Sequence, residues 1–185
     1  DLIDIVEIGT PFLLKEGVRA ISEIKNAYPS LAVLADVKIM DAGDHEARLV
    51  YNAGADIVSV LGAAASVTIQ NVVKTARACQ KHVMVDMIAV EPIEQRTVQI
   101  DQLGVDYICV HTGTDVQAQG KRPLDELQRV SAIIRNARIA VAGGINQETL
   151  PQILVYQPEI VIVGGAITAK KDKRQAVLAL KEVMA

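Results

Sequence analysis

Seven short apolar runs rich in Val, Ile, Leu and Ala recur along this chain, at intervals of about 20 to 30 residues. They are Ile3–Gly9, Leu31–Ala35, Asp56–Leu61, His82–Asp86, Val105–Val110, Arg138–Ala142 and Glu159–Val163. Within each, apolar residues are nearly continuous rather than alternating with polar ones. That is the pattern of strands in a parallel sheet covered on both faces. Between the runs, helical periodicity and caps predict helices at Leu13–Tyr28, Asp44–Asn52, Ser66–Gln80, Glu91–Gly104, Pro123–Asn136, Asn146–Tyr156 and Lys170–Met184. Gly54 suits the position just past a helix end, Ser66 and Asn146 suit N-caps, and Pro92 suits a first turn.

Strict strand–helix alternation leaves two architectures, an open doubly wound sheet or a closed α/β barrel. An eight-stranded (β/α)8 TIM barrel is expected, forming a single domain over residues 1–185. Only seven runs are present and the first lies at the very start, before which no Met stands. The expectation is therefore that one βα unit precedes Asp1. An open seven-stranded sheet is the alternative.

The 185 residues are 50% hydrophobic and 22% charged, with a net charge of -3 and no basic run, which argues against a nucleic-acid surface. Aromatic residues make up only 3%, so base-stacking platforms are not expected either. Cys79 and Cys109 are the only cysteines, and neither has a partner at metal-ligand spacing. A reducing, cytoplasmic location is expected. No signal peptide or long apolar span suggests secretion or a membrane.

The unusual polar residues collect at strand ends. Glu7, Asp36, Lys38, Asp86 and His111 each close an apolar run, and in a barrel those ends share the rim where active sites are built. Asp36 and Lys38, two apart, share a strand face, whereas Asp41 falls in the following loop. Burying such charges is costly unless they pair or bind something. An Asp36–Lys38 ion pair of purely structural role, a Glu7 salt bridge to a rim lysine and a merely structural His111 all remain open. Glu7 and Asp36 offer hard oxygen donors on successive strands, the chemistry that suits Mg²⁺. Lys38 is suited to stabilising a developing enediolate oxygen. His111 is the side-chain type that moves protons near neutral pH. His45 and His82 look structural by position. Gly143–Gly144 and Gly164–Gly165 follow the last two strands, where phosphate-binding barrels grip phosphate through backbone N–H groups.

The motif Asp36-x-Lys38-x-x-Asp41, with Val6-Glu7-Ile8-Gly9-Thr10-Pro11 before it and His111-Thr112-Gly113-Thr114-Asp115 after it, resembles the orotidine-monophosphate decarboxylase superfamily. Within it the match is closest to the 3-hexulose-6-phosphate synthases, over essentially the whole chain. The resemblance implies a Mg²⁺-dependent aldol condensation of D-ribulose 5-phosphate with formaldehyde through an enediolate, and the reverse cleavage. It also implies a homodimer with active sites at the subunit interface. Glu7 and Asp36 would bind Mg²⁺, Lys38 would stabilise the enediolate and His111 would transfer a proton. Asp41 would reach into the partner's site, Asp86 would contact substrate hydroxyls, and Gly143, Gly144, Gly164 and Gly165 would hold phosphate. The related 3-keto-L-gulonate-6-phosphate decarboxylases are the alternative. They carry Arg where this chain has Thr114 and Gly165. A catalytically silent phosphosugar-binding barrel is the alternative of another class.

Overall fold

The computed structural model describes residues 1–120 and 122–184. Seven parallel strands form one sheet: β1 (Ile5–Ile8), β2 (Ala32–Ile39), β3 (Ile57–Leu61), β4 (His82–Asp86), β5 (Tyr107–His111), β6 (Arg138–Ala142) and β7 (Ile160–Ile162). Their spatial order follows the chain, β1 to β7 without reversal. A doubly wound sheet reverses its strand order at a switch point, so this topology is that of a (β/α)8 TIM barrel. Among the described residues β1 and β7 do not pair, and the barrel is nearly closed rather than closed.

Side-chain alternation sorts each strand into two faces. Leu34, Ile57, Met84, Tyr107, Cys109, Ala140, Ala142 and Ile160 fill the barrel interior, with Ile5 and Ile162 against them. Val33, Ala35, Val58, Val60, Val83, Val85, Ile108, Val110 and Val141 face outward and pack under the helices, with Ile21, Ile69, Val72, Ile100, Leu127 and Leu150. Each fully buried Val, Ile or Leu contributes about 1.5–3 kcal/mol. Because the period is two, Glu7, Asp36, Ser59, Asp86 and His111 fall on the interior face, above the apolar layer. The fold thus places polar residues at one end of an otherwise dry interior.

The helices depart from expectation in local ways. The run expected as one helix over 13–28 is two, α1 (Thr10–Glu16) and α2 (Arg19–Ala27), because Gly17 adopts φ +66 between them. α3 (Gly43–Asn52) ends with Gly54 at φ +108, as expected. α4 (Ser66–Cys79) has Ala65 at its N-cap, so Ser66 is the first helical residue rather than the cap. Its hydroxyl accepts instead from Arg96, which also donates to the carbonyls of Gly62 and Ala64. α5 (Ile93–Asp101) has Pro92 at its N-cap rather than inside the first turn. A four-residue α6 (Thr114–Gln117) forms in what was expected to be loop, ahead of α7 (Leu124–Ile133). Asn146 does accept N–H bonds from Glu148 and Thr149, but the chain makes turns before α8 (Leu150–Leu154). A short α9 (Gly165–Thr168) precedes α10 (Lys173–Met184).

At the opposite end of the barrel, two carboxylates clamp strand starts. Asp56 takes the Val33 N–H at 3.0 Å and the ammonium groups of Lys25 and Lys81, both at 2.6 Å. Asp106 takes the Val83 N–H at 2.8 Å and the Arg77 guanidinium. Burial pushes both pKa values up, but these partners outweigh it and hold both below the usual carboxylate value. The stabilisation is therefore present above the unfolded-state pKa and is lost as pH falls through the lowered folded value. The urea midpoint should fall between neutral pH and about pH 3. Replacing both residues by Asn should flatten that acid limb, and an unchanged limb would remove them as its cause. No described helix is long and apolar enough to cross a membrane.

Candidate active site

One cleft of about 1350 Å³ opens at the C-terminal end of the strands. Glu7, Asp36, Lys38 and His111 line it together with Gly143, Gly144, Gly164 and Gly165. The strand-end residues expected from the sequence therefore converge, with Asp86 alone an exception in detail. Asp41 is exposed just beyond β2 and does not line the cleft. Asp86 lies beneath the cleft surface, its side chain only 5% exposed.

Alternation alone does not bring Lys38 to Asp36. Between Ala35 and Ile39, β2 advances four residues while its partner β3 advances two, from Val58 to Val60. Lys38 takes φ +52 within this bulge, a conformation uncommon for a residue with a long side chain. Its N–H donates to Ser59 Oγ at 2.9 Å, which secures the bulge. Lys38 Nζ then reaches Asp36 Oδ1 at 2.8 Å and Asp86 Oδ2 at 2.7 Å.

Asp86 joins the two groups suited to chemistry. Its Oδ2 takes both Lys38 Nζ and His111 Nδ1, the latter at 2.9 Å, and Oδ1 takes the Ile88 N–H at 2.9 Å. Burial pushes the Asp86 pKa up, but His111 and Lys38 outweigh it and hold it below the usual carboxylate value. Burial likewise presses the Lys38 pKa down, and Asp86 and Asp36 outweigh it, so the ammonium is held charged. A lysine kept charged is a poor nucleophile and a good electrostatic stabiliser. A carboxylate only accepts, so the His111 Nδ1 carries a proton, which leaves the opposite ring nitrogen as the position for proton transfer.

Asp36 is further held by Ser59 Oγ, which donates to Oδ1 at 3.0 Å, and by Thr10 Oγ1, 2.8 Å from Oδ2. Neither residue was singled out from the sequence. The available signal was Ser59 itself, a single hydroxyl on the inward face of an apolar strand and only 2% exposed. Glu7 differs from its neighbours. Its carboxyl has no hydrogen bond or ion pair among the described residues, and it is open to the cleft. Removal from bulk water, then the Asp36 charge, raise its pKa to about 7.

The glycine pairs differ in origin. Gly143 and Gly144 have φ +101 and +67, and a Cβ on Gly143 would collide with the Thr112 carbonyl. Glycine is required there by the backbone. Gly164 and Gly165 lack left-handed φ, and nothing lies within 4 Å of where their Cβ atoms would stand. The protein itself has no steric need for glycine at these two positions, and the space they leave faces the cleft. The first N–H groups of α9 have no acceptor within the helix. Lys170 lines the same part of the cleft.

A family model described as orotidine 5′-phosphate decarboxylase / HUMPS family matches residues 1–180. The 3-hexulose-6-phosphate synthase of Bacillus subtilis (strain 168) is 50% identical over 182 residues, which cover 98% of this chain and 87% of that one. The crystal structure of 3-hexulose-6-phosphate synthase from Salmonella typhimurium superposes with a TM-score of 0.97 at 46% identity, covering 100% of this chain and 87% of that one. That of 3-keto-L-gulonate-6-phosphate decarboxylase from Vibrio cholerae gives 0.87 at 25% identity, covering 99% and 86%.

Proposed function

The chain belongs to the orotidine 5′-phosphate decarboxylase / HUMPS family, and from that footing we propose that it is a 3-hexulose-6-phosphate synthase. In this reading one barrel domain, residues 1–185, condenses D-ribulose 5-phosphate with formaldehyde and catalyses the reverse cleavage. The observation that carries it is the Lys38–Asp86–His111 relay, which sets a fixed cation and a base side by side in a cleft with two glycine-rich turns. Identity near one half to proteins of that name, against one quarter to the decarboxylase, favours the aldolase over the second reading.

The division of labour follows from the contacts. The Gly143–Gly144 and Gly164–Gly165 turns, with Lys170, hold the phosphate and fix the sugar's distance from the strand ends. His111 removes a proton from the carbon next to the ketone. Lys38 stabilises the negative oxygen that develops, and its charge is already oriented by Asp36 and Asp86, so little reorganisation is needed. Asp86 positions both groups and offers its small remaining access to a substrate hydroxyl. The carbon–carbon bond forms when the enediolate electron pair attacks the formaldehyde carbon. The carbonyl oxygen then takes up a proton. Asp41, exposed outside its own cleft, serves the site of a second copy in a homodimer.

Glu7 and Asp36 would hold Mg²⁺. Among the described residues there is no cluster of three or more metal-binding side chains, but Mg²⁺ keeps waters and shares substrate oxygens. Glu7 fits best, because its unpartnered carboxyl with a raised pKa is what an added cation would satisfy. Asp36 would exchange part of its Lys38 contact. The ion supplies Lewis-acid polarisation of the substrate oxygens.

Protons and metal compete for Glu7. With a pKa near 7, it is mostly protonated below neutrality, so affinity for Mg²⁺ should fall as pH drops from 8 to 6. Glu7→Gln should bind weakly at both pH values, and calorimetric titration checks both; pH-independent affinity in the wild type would remove Glu7 from the metal site. The reaction itself is tested by incubating the protein with ribulose 5-phosphate in D₂O without formaldehyde. Deuterium should enter at C1, read by NMR. No exchange would count against the enediolate.

A further inference from the structure

We propose that Gln117 is a positioning residue that ties the Gly143–Gly144 turn to the His111 end of β5, coupling substrate grip to the proton-transfer group. The inference rests on the reading of that turn as a phosphate grip. Thr112, directly after His111, is buried, and its N–H donates to the Ala142 carbonyl at 3.2 Å. Its own carbonyl stands against Gly143, in the space a Cβ would take. Gln117 Nε2 donates to this same carbonyl at 2.6 Å, fixing the atom against which the turn rests. The other half of the amide covers the second glycine, with Oε1 3.2 Å from the position of a Cβ on Gly144. One side chain thus touches both halves of the interlock, and it lines the cleft beside His111, Gly143 and Gly144.

The amide is matched to this place. A carbonyl needs a donor, which an aliphatic side chain of the same length lacks. A carboxylate would repel the Thr112 carbonyl and also place negative charge beside an anionic ligand. Oε1 has no donor among the described residues, so it remains available to a ligand hydroxyl. α6 is only one turn long and would be held loosely without this bond. Losing the bond frees the turn to shift away from Thr112, so the effect should fall on binding of the phosphorylated end more than on the chemical step.

Gln117→Met keeps length and covers Gly144 but cannot donate, whereas Gln117→Glu adds charge. Steady-state kinetics with ribulose 5-phosphate, and competition by inorganic phosphate, provide the test. Gln117→Met should raise KM and the phosphate inhibition constant together by about five- to tenfold, the scale of one hydrogen bond, with a smaller fall in kcat. Gln117→Glu should raise both further. If both variants fold with the wild-type thermal midpoint and neither constant moves, the coupling is overturned. A fall in kcat alone overturns it too, because it would mark Gln117 as acting in chemistry. Wild-type protein that inorganic phosphate does not inhibit would overturn the phosphate reading and this inference with it. Inhibited wild type with unaltered variants overturns the coupling alone.

Discussion

Lys38→Ala is expected to lower turnover by at least about 10³-fold, at the upper end for loss of one oxyanion-stabilising donor. Affinity for the phosphosugar should stay close to wild type. The separation follows from the contacts: the ammonium is tied to Asp36 and Asp86 at the strand ends, whereas the groups that would hold phosphate are the backbone turns at Gly143–Gly144 and Gly164–Gly165. Removing the cation leaves two carboxylates facing each other with Glu7 nearby, which further disfavours a negative transition state. Isothermal titration with ribulose 5-phosphate, alongside steady-state rates, separates binding from chemistry. Turnover near the wild-type rate would take Lys38 out of the enediolate role and return the Asp36–Lys38 pair to a structural one.

Asp86→Asn should harm both activity and stability. The amide keeps the shape, but its NH₂ must face either Lys38 and His111 together, at the Oδ2 position, or the Ile88 N–H, at the Oδ1 position, a donor against a donor in both cases. Breaking a buried charge pair by removing one partner costs about 3–5 kcal/mol, and the low end is expected here because Lys38 retains Asp36. With His111 no longer held in one tautomer, turnover should fall about 10²–10⁴-fold. The sign of the pH dependence is fixed by the lowered Asp86 pKa. Its contribution is fully present above the unfolded carboxylate value and disappears as pH falls through the folded one. Denaturation curves of wild type and variant should therefore differ at pH 7 and converge in strong acid. A constant difference at every pH would show that packing, not charge, was lost.

Much of this architecture was legible in the chain because strand periodicity is two. Glu7, Asp36, Asp86 and His111 lie near the ends of apolar runs, and alternation then places them on the interior face. The Lys38 position was reached for an incomplete reason. Simple alternation puts it on the Asp36 face, but the contact depends on the bulge and left-handed backbone that Ser59 secures, a cross-strand matter invisible in local sequence. Likewise the role of Asp86 as the bridge between Lys38 and His111 depends on β2, β4 and β5 coming together, which no spacing along the chain encodes. Gly17 was the readable sign that the helix over 13–28 would break, but the continuous apolar spacing across it dominated. Gly143 and Gly164 look alike in sequence, and only the backbone angles and surrounding space distinguish a glycine needed for folding from one that leaves room for a ligand. Burial alone does not mark chemistry either. Asp101 is 5% exposed, and its carboxylate is occupied by the N–H groups of Arg135, Asn136 and Ala137, which fix the turn into β6.

The most direct measurement mixes the purified protein with D-ribulose 5-phosphate and formaldehyde, with Mg²⁺ or with a chelator, and follows formaldehyde. Loss of formaldehyde that requires the metal is the expected result. If formaldehyde is untouched while CO₂ is released from 3-keto-L-gulonate 6-phosphate, the cleft serves decarboxylation instead. If neither substrate reacts, the relay of Lys38, Asp86 and His111 is structural and the barrel only binds phosphosugars.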